Sequence, residues 1–418
     1  MRGWIRRLRS GRGDAAPAAR ADGAPPPPFD PADPAFVADP YPTYAWLRAH
    51  EPVHRAPSGA FVLTRYDDVA AALADERLAN APARHAVVHE RNRGRYVCAD
   101  VASRILPFLD PPRHTAPRRR IGRVFHEQLR DAPPDLDGLA QGLLDRLDGR
   151  ARFDVVADFA SPFAVRAIAA LLGVPAAEAP RLERWSESFF YLFAPIPSHA
   201  VRERLDADLA AFRAFFRDLV AARRAQPGPD LVSALAAARR DDEGLDDAAL
   251  VDNLMLLFAD GVENVDRAIA SACWLLLRHP EQLARLRADP ASWPAAIDEC
   301  LRFESPAQFV ARIAREEVEL RSVRVPRDGV VLLVLGAANR DPGTFADPDR
   351  FDVGRRPNPH LAFGRGRHAC VGGPLVEREL GAALRTLFAR FPSLRCDDGA
   401  RWMPRPAHRW LERLLVTP

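Results

Sequence analysis

The longest helical pattern in the chain runs from Asp246 to Arg278, and at 1.5 Å per residue it spans on the order of 50 Å. A chain of 418 residues can bury a core large enough to surround such a segment. Other helical patterns are set off by their stop signals. Phe159–Leu172 is closed by Gly173, with Pro175 two residues beyond, and a pattern over Ala200–Ala225 ends at Gln226-Pro227-Gly228. Val53–Tyr66 reads as a hairpin, with Ser58-Gly59 at the turn and Ala60–Leu63 as a strand. Strand-like sequence returns at Val318–Leu320 and Val330–Leu335, with Pro326–Gly329 as the turn between them. The expected architecture is mainly α with a small antiparallel β-sheet region. Residues 1–28 are basic, then rich in Ala, Gly and Pro, which predicts a disordered tail. No second low-complexity linker and no internal repeat follows, so 29–418 reads as a single domain.

Charge and cysteine usage narrow the function. The formal net charge is only +3, far from the basicity of a nucleic-acid-binding chain. All 59 basic side chains are arginines, a mark of a GC-rich, bacterial coding sequence more than of function. Five scattered cysteines with no CxxC pair fit a reducing cytosol better than secretion. No apolar run approaches the ~20 residues of a membrane span. The N-terminus lacks the apolar stretch of a secretory signal. A cytoplasmic protein is expected.

The most informative stretch is Phe363-Gly364-Arg365-Gly366-Arg367-His368-Ala369-Cys370-Val371-Gly372. Its glycines let the backbone turn tightly and lie close to a flat ligand. Cys370 precedes a helical pattern, Pro374–Arg390, whose N-terminal N–H groups and dipole favour a thiolate. The spacing is not GxGxxG, so this is no dinucleotide loop. The other cysteines, Cys98, Cys273, Cys300 and Cys396, read as inert buried residues. The segment resembles the haem-binding loop of the cytochromes P450, F-G-x-G-x-H-x-C-x-G, at every fixed position, and the likeness extends from about Phe29 to the C-terminus. It is closest to the soluble bacterial branch.

That resemblance implies a P450 fold and haem b held by Cys370 in a loop of Phe363, Gly364, Gly366 and Gly372. Glu299 and Arg302 match the family's ExxR pair, and Arg355 the arginine that completes a buried network with them. Asp110-Pro111-Pro112-Arg113-His114-Thr115-Ala116-Pro117-Arg118 matches a segment whose His114 and Arg118 reach haem propionates; Arg312 and His368 match the other two partners. Arg119, Arg120 and Arg123 read as solvated, on a face where an acidic ferredoxin could dock. Asp260-Gly261-Val262-Glu263-Asn264 lies where the family has an oxygen-binding groove. Glu263 matches the usual acid, Asn264 replaces a threonine, Asp260 replaces a small residue, and Val376-Glu377 replaces Ala-Arg.

Glu263 and Asn264 are then the expected handlers of dioxygen and protons. Substrate contacts are expected from residues 80–106, Phe189–Ile196, Leu257–Asn264 and Ala307–Val310. Phe189, Phe190, Phe193, Phe258 and Phe309 would make the pocket apolar, unless they simply pack the core. The implied activity is monooxygenation of a small, largely apolar substrate in bacterial specialised metabolism. Electrons would come from NAD(P)H through a ferredoxin reductase and a ferredoxin. Two alternatives stay open: a peroxide-driven or non-hydroxylating haem enzyme, motivated by Asn264, and a non-catalytic haem-binding module.

Overall fold

The long 246–278 pattern folds as two helices that meet at Asn264, whose φ of −91° and ψ of −31° stay within the right-handed helical region. The computed structural model describes residues 29–80, 88–193, 196, 198–237, 245–396, 400–405 and 407–418, so the tail expected at 1–28 lies outside the described residues. Eight helices position the site: α1 (Thr115–Asp131), α2 (Ser161–Leu172), α3 (Ala179–Phe189), α4 (His199–Ala225), α5 (Asp247–Glu263), α6 (Val265–Arg278), α7 (Trp293–Phe303) and α8 (Gly373–Arg390). Their ends follow local chemistry. The Ser198 hydroxyl accepts from the Val201 N–H to start α4, and the Asp246 carboxylate accepts from the Ala249 N–H to start α5.

The two halves of the long helix serve different cores. On α5, Leu254, Met255 and Phe258 have no exposed surface, and Phe258 meets Phe212 of α4 with ring centroids 6.0 Å apart. On α6, Ile269, Cys273 and Leu276 pack with Ile297 of α7 and Leu380 and Leu384 of α8. Gly261 has a packing reason: a Cβ there would come within 2.6 Å of the Ile168 side chain on α2. One expectation needs correcting. Val155–Leu172, with a mean hydropathy of 1.7, is long and apolar enough by length and composition to cross a membrane. It is 67% buried in this fold, and Phe159, Phe163 and Ala164 lie in the interior, which accounts for its composition.

The principal sheet comprises β1 (Val53–Arg55), β2 (Phe61–Leu63), β3 (Leu78–Ala79), β4 (Phe309–Ala314) and β5 (Val330–Val334). Its order is β1-β2-β5-β4-β3, antiparallel except where β2 runs parallel to β5. The hairpin expected at Val53–Tyr66 is present. The turn expected between Val318–Leu320 and Val330–Leu335 is not a hairpin turn. Val318–Leu320 pairs instead with Val323–Val325, through Arg321 and Ser322 at φ of 46° and 66°. Neither residue is a usual signal for left-handed backbone, so the sequence concealed that hairpin.

A buried ion network ties α7 to the long loop that follows β5. Glu299 and Arg302 are both fully buried. Arg302 donates from Nε and Nη2 to the Glu299 carboxylate at 2.7 and 2.9 Å. The same carboxylate accepts from the Arg355 Nε, the Asp352 N–H and the Asn358 amide. Arg302 also donates to the carbonyls of Asn339 and Pro348 at 2.7 and 2.8 Å. Both Glu299 oxygens and all three Arg302 nitrogens are matched, which is the condition under which a buried pair is tolerable, while the Asn358 side-chain oxygen is buried without a partner. Glu299→Ala or Arg302→Ala should lower unfolding free energy by about 3–5 kcal/mol, because each strands an uncompensated buried charge. Arg285→Ala, which breaks a partly exposed pair with Asp352, should cost under about 1 kcal/mol. Denaturant titration of the three variants checks this; equal losses would mean the buried network carries no special weight.

Candidate active site

The cysteine loop is built from its hydrogen bonds. The Cys370 N–H donates to the Phe363 carbonyl at 2.8 Å, and the Ala369 N–H to Gly366 at 3.1 Å. Gly364 and Gly366 take φ of 68° and 75°, and a Cβ on Gly366 would press on the Leu73 carbonyl at 3.2 Å. Phe363 packs its ring over Gly373 at the start of α8. Arg118 of α1 donates from Nη2 to the Ala369 carbonyl at 2.6 Å, joining α1 to the loop.

Cys370 is exposed, yet burial pushes its thiol up to about 11. A residue that is both accessible and desolvated lines an interior cleft. The Asp260 charge also raises the thiol, while the backbone N–H groups of Gly372 and Gly373 and the Arg118 guanidinium act against the rise. The helix terminus thus stabilises the sulfur as expected, but burial outweighs it. A separate cleft of about 1220 Å³, lined by Tyr41, Trp274, Trp402 and Arg409 among others, shares no residue with this constellation.

Beside the loop lies a cationic corner. His114 precedes α1 and is almost wholly buried; its ring centroid is 4.2 Å from that of His368. The Nε2 atoms of both are buried without a hydrogen-bond partner. Burial, then Arg118, holds His114 down at about 4; burial, then His114 and Arg312, holds His368 at about 3. Arg312 on β4 is buried, and that lowers its guanidinium to about 10. Three desolvated nitrogen groups therefore share one wall, with the Asp110 carboxylate as the anion that acts on all three.

A face of α5 also borders the site, since the Asp260 charge acts on Cys370. From Leu250 to Leu277 the only exposed residue is Asp260, and Leu257, Gly261 and Asn264 are half-buried. These four sit at i, i+3, i+4 and i+7, one side of a helix. The Asn264 side-chain oxygen accepts from the Trp410 indole N–H at 3.2 Å, which fixes the amide's orientation. Glu263 points elsewhere. It is buried, with the Arg405 guanidinium 4.0 Å away, and burial together with the Asp266 carboxyl holds its proton on up to about 8. Burial alone raises Asp260 to about 7.

With this geometry in view, residues 293–415 match the family model for cytochrome P450. The chain is 33% identical over 392 residues to the biotin biosynthesis cytochrome P450 of Bacillus subtilis, covering 91% of this chain and 97% of that one. The chain belongs to the cytochrome P450 family. It is also 37% identical to 6-deoxyerythronolide B hydroxylase of Saccharopolyspora erythraea, over 86% of this chain and 90% of that one. Among solved structures, CalO2 superposes with a TM-score of 0.88 at 35% identity, covering 93% of this chain and 98% of that one. The structure of P450BioI with a fatty-acyl carrier protein gives a TM-score of 0.84 at 32% identity, covering 92% and 98%. The chain is therefore a P450 monooxygenase, and membership implies haem with a cysteine thiolate ligand. The residues present fit that group. A propionate is an anion that suits the unpaired imidazoles and desolvated Arg312, and iron is a cation that suits the accessible Cys370 sulfur.

Not every expected residue lies where this P450's pocket was anticipated. Phe189, Phe190 and Phe258 are core residues; Phe258 is two positions from Asp260 and so faces the other side of α5. Phe309 packs on Phe29, and Phe193 is the exposed one, at 38%. Residues 81–87 of the expected 80–106 contact segment lie outside the described residues. Arg120 is not solvated: it is buried and donates to the Leu235 carbonyl at 3.0 Å. Cys98, Cys273 and Cys300 are buried, while Cys396 is only partly so. Asp260 was legible only as a departure from the family, and its position on the cleft face was readable from helical spacing.

The raised Glu263 carboxyl makes stability depend on pH. Between the ordinary carboxylate range and about 8 the folded state holds a proton that the unfolded state has lost. Stability should therefore fall as pH rises through that window. Melting temperatures from pH 5 to 8 should decline in the native chain and decline less in Glu263→Gln. Parallel slopes would show that this carboxyl is not held protonated.

Proposed function

We propose that Cys370 would hold the haem iron in a monooxygenase acting on a small, largely apolar molecule in bacterial specialised metabolism. The observation that carries this reading is the desolvated thiol on a cleft wall, between a cationic corner and the one solvent-facing side of α5. Phe363, Gly364, Gly366 and Gly372 shape the loop. His114, Arg118, Arg312 and His368 hold the propionates. Bound haem supplies the reductive activation of dioxygen, from which one oxygen atom enters a C–H or C=C bond. Cys370 would hold the haem iron as a thiolate. Residues 29–418 act as one unit, a reading supported by the long helix pair that joins both apolar cores.

Glu263 and Asn264 manage protons. Glu263 is a buried acid able to hold a proton near neutral pH, and Asn264 presents an amide whose oxygen is already held by Trp410. The amide NH2 is the end left to order water or a substrate group in the cleft. Reducing equivalents come from NAD(P)H by way of a ferredoxin reductase and ferredoxin in the cytoplasm. The docking face is the exposed side of α1, with Arg119 and Arg123, beside the loop carbonyl of Val371 that faces His126 at 3.2 Å. Glu377 adds an exposed negative charge to the first turns of α8, on the side of Asp298 and His360.

Reduced protein under carbon monoxide should show the strongly red-shifted Soret band of thiolate ligation. Cys370→Ala should abolish it, and Ala at Cys98, Cys273, Cys300 or Cys396 should not; a band that survives in the Cys370 variant removes the assignment. For proton management the measurement is product formed per NADPH consumed, with hydrogen peroxide quantified alongside. Asn264→Ala and Glu263→Gln should keep haem and substrate binding but divert electrons to hydrogen peroxide. Asn264→Thr should be tolerated, because a hydroxyl can replace the amide as a donor. Unchanged coupling in both Asn264→Ala and Glu263→Gln would withdraw the two roles.

A further inference from the structure

We infer that the substrate carries a permanently or readily cationic nitrogen on its apolar body, and that Asp260 receives it. The inference rests on the reading of the Cys370 cleft as the substrate site. Asp260 is the only exposed residue on the long helix pair between Leu250 and Leu277, and it faces the same cleft as the thiol whose ionisation its charge disfavours. Among the described residues no hydrogen bond or ion pair reaches it. The cations that might have done so are committed to other partners. Arg405 lies 4.0 Å from Glu263 and over the Trp410 ring, and Arg267 lies 3.5 Å from Asp266 and donates to the Leu411 carbonyl. Arg118 is engaged with Ala369, and Arg312 lies in the corner with the two histidines.

A carboxylate removed from water needs a counter-charge or it stays protonated. Burial raises the Asp260 carboxyl although the residue keeps exposed surface on the cleft face, and among the described residues no counter-charge reaches it. The neighbouring surface suits an amphiphilic cation: Leu257 lies one turn before Asp260 and the Asn264 amide one turn after. An ammonium head would pair with Asp260 while its hydrocarbon lies along Leu257, which fixes one end of the substrate relative to Cys370. Asp260 is in this reading a specificity-determining residue, and it takes no part in moving protons to oxygen.

The test uses the full haem-loaded chain and the low-to-high-spin shift as the binding signal. The probes are alkyltrimethylammonium ions of graded chain length, each matched to a neutral isostere in which carbon replaces the nitrogen. A quaternary nitrogen has no lone pair, so it cannot ligate iron and imitate binding. The cation should bind about tenfold or more tighter than its isostere at the best chain length, the size of effect a charge-assisted contact provides. Asp260→Asn should erase that preference, while Asp260→Glu should keep part of it. Both variants should retain the red-shifted carbon monoxide band, which shows that they are folded and loaded. Equal affinity for cation and isostere, no spectral response to any cation, or a preference that survives in Asp260→Asn overturns the inference. Loss of the carbon monoxide band in the unmodified chain would instead overturn the assignment of Cys370, a separate failure.

Discussion

Glu299 sits without exposed surface and accepts hydrogen bonds from Arg302, Arg355, Asn358 and the Asp352 backbone. An isolated carboxylate in that place would be prohibitive, so the helix that carries it and the loop that satisfies it must form together. The consequence reaches the active site through covalent connection and further bonds. Arg302 holds the carbonyl of Asn339, and the Asn339 side-chain oxygen accepts from the Leu361 N–H at 2.7 Å, two residues before Phe363. The cysteine loop therefore begins from a backbone anchored in a charge network. Three arginine or asparagine donors around one acid form a rigid mount because both oxygens of the carboxylate are engaged.

The loop itself shows two opposed influences on one sulfur. The N-terminal turn of α8 directs backbone N–H groups at Cys370, and Arg118 adds positive charge. Burial and the Asp260 carboxyl oppose them and win, so the free sulfur keeps its proton. The sulfur is accessible on the cleft wall while burial opposes its ionisation. The same economy applies to the cationic corner, where burial holds down His114, His368 and Arg312, His114 and Arg312 depress His368 further, and two ring nitrogens are left unsatisfied. Both walls carry groups whose charge is incomplete within the chain.

Much of this was legible in the sequence because it is written in fixed offsets. The F-G-x-G-x-H-x-C-x-G spacing located the thiol loop, and Glu299 with Arg302 at i, i+3 located the buried pair. Stop signals at Gly173 and Gln226-Pro227 placed the ends of two helices. What escaped depends on orientation. Hydrophobicity cannot tell a phenylalanine in the core from one lining a cleft, and Phe189, Phe190 and Phe258 all proved to be core. Arg120 shows the same limit for charge, since nothing local marks it as the arginine that turns inward to the Leu235 carbonyl. The 318–325 hairpin depends on left-handed backbone at Arg321 and Ser322, residues that carry no such signature. Asn264's tie to Trp410 joins positions 146 residues apart, beyond any local pattern.

The two acids of α5 explain why the departures from the family pattern belong together. Asp260 and Glu263 are three residues apart, yet one faces the cleft and the other faces Arg405 and Asp266. Three residues is 300° around a helix, close enough for neighbours on a surface, but the cleft boundary falls between them. Glu263 thereby lies among the Asp266 and Glu187 carboxyls, which add to its burial, and the Arg405 and Arg267 cations, which temper it, as suits a group that exchanges protons. Asp260 has no such tempering from the chain, as suits a group that waits for a ligand's charge. Asn264 stands on Asp260's face, and replacing a hydroxyl with an amide there adds a donor without adding a second ionisable group. A cleft that already holds one uncompensated carboxyl can admit a neutral amide beside it at little electrostatic cost, whereas a further acid would raise both.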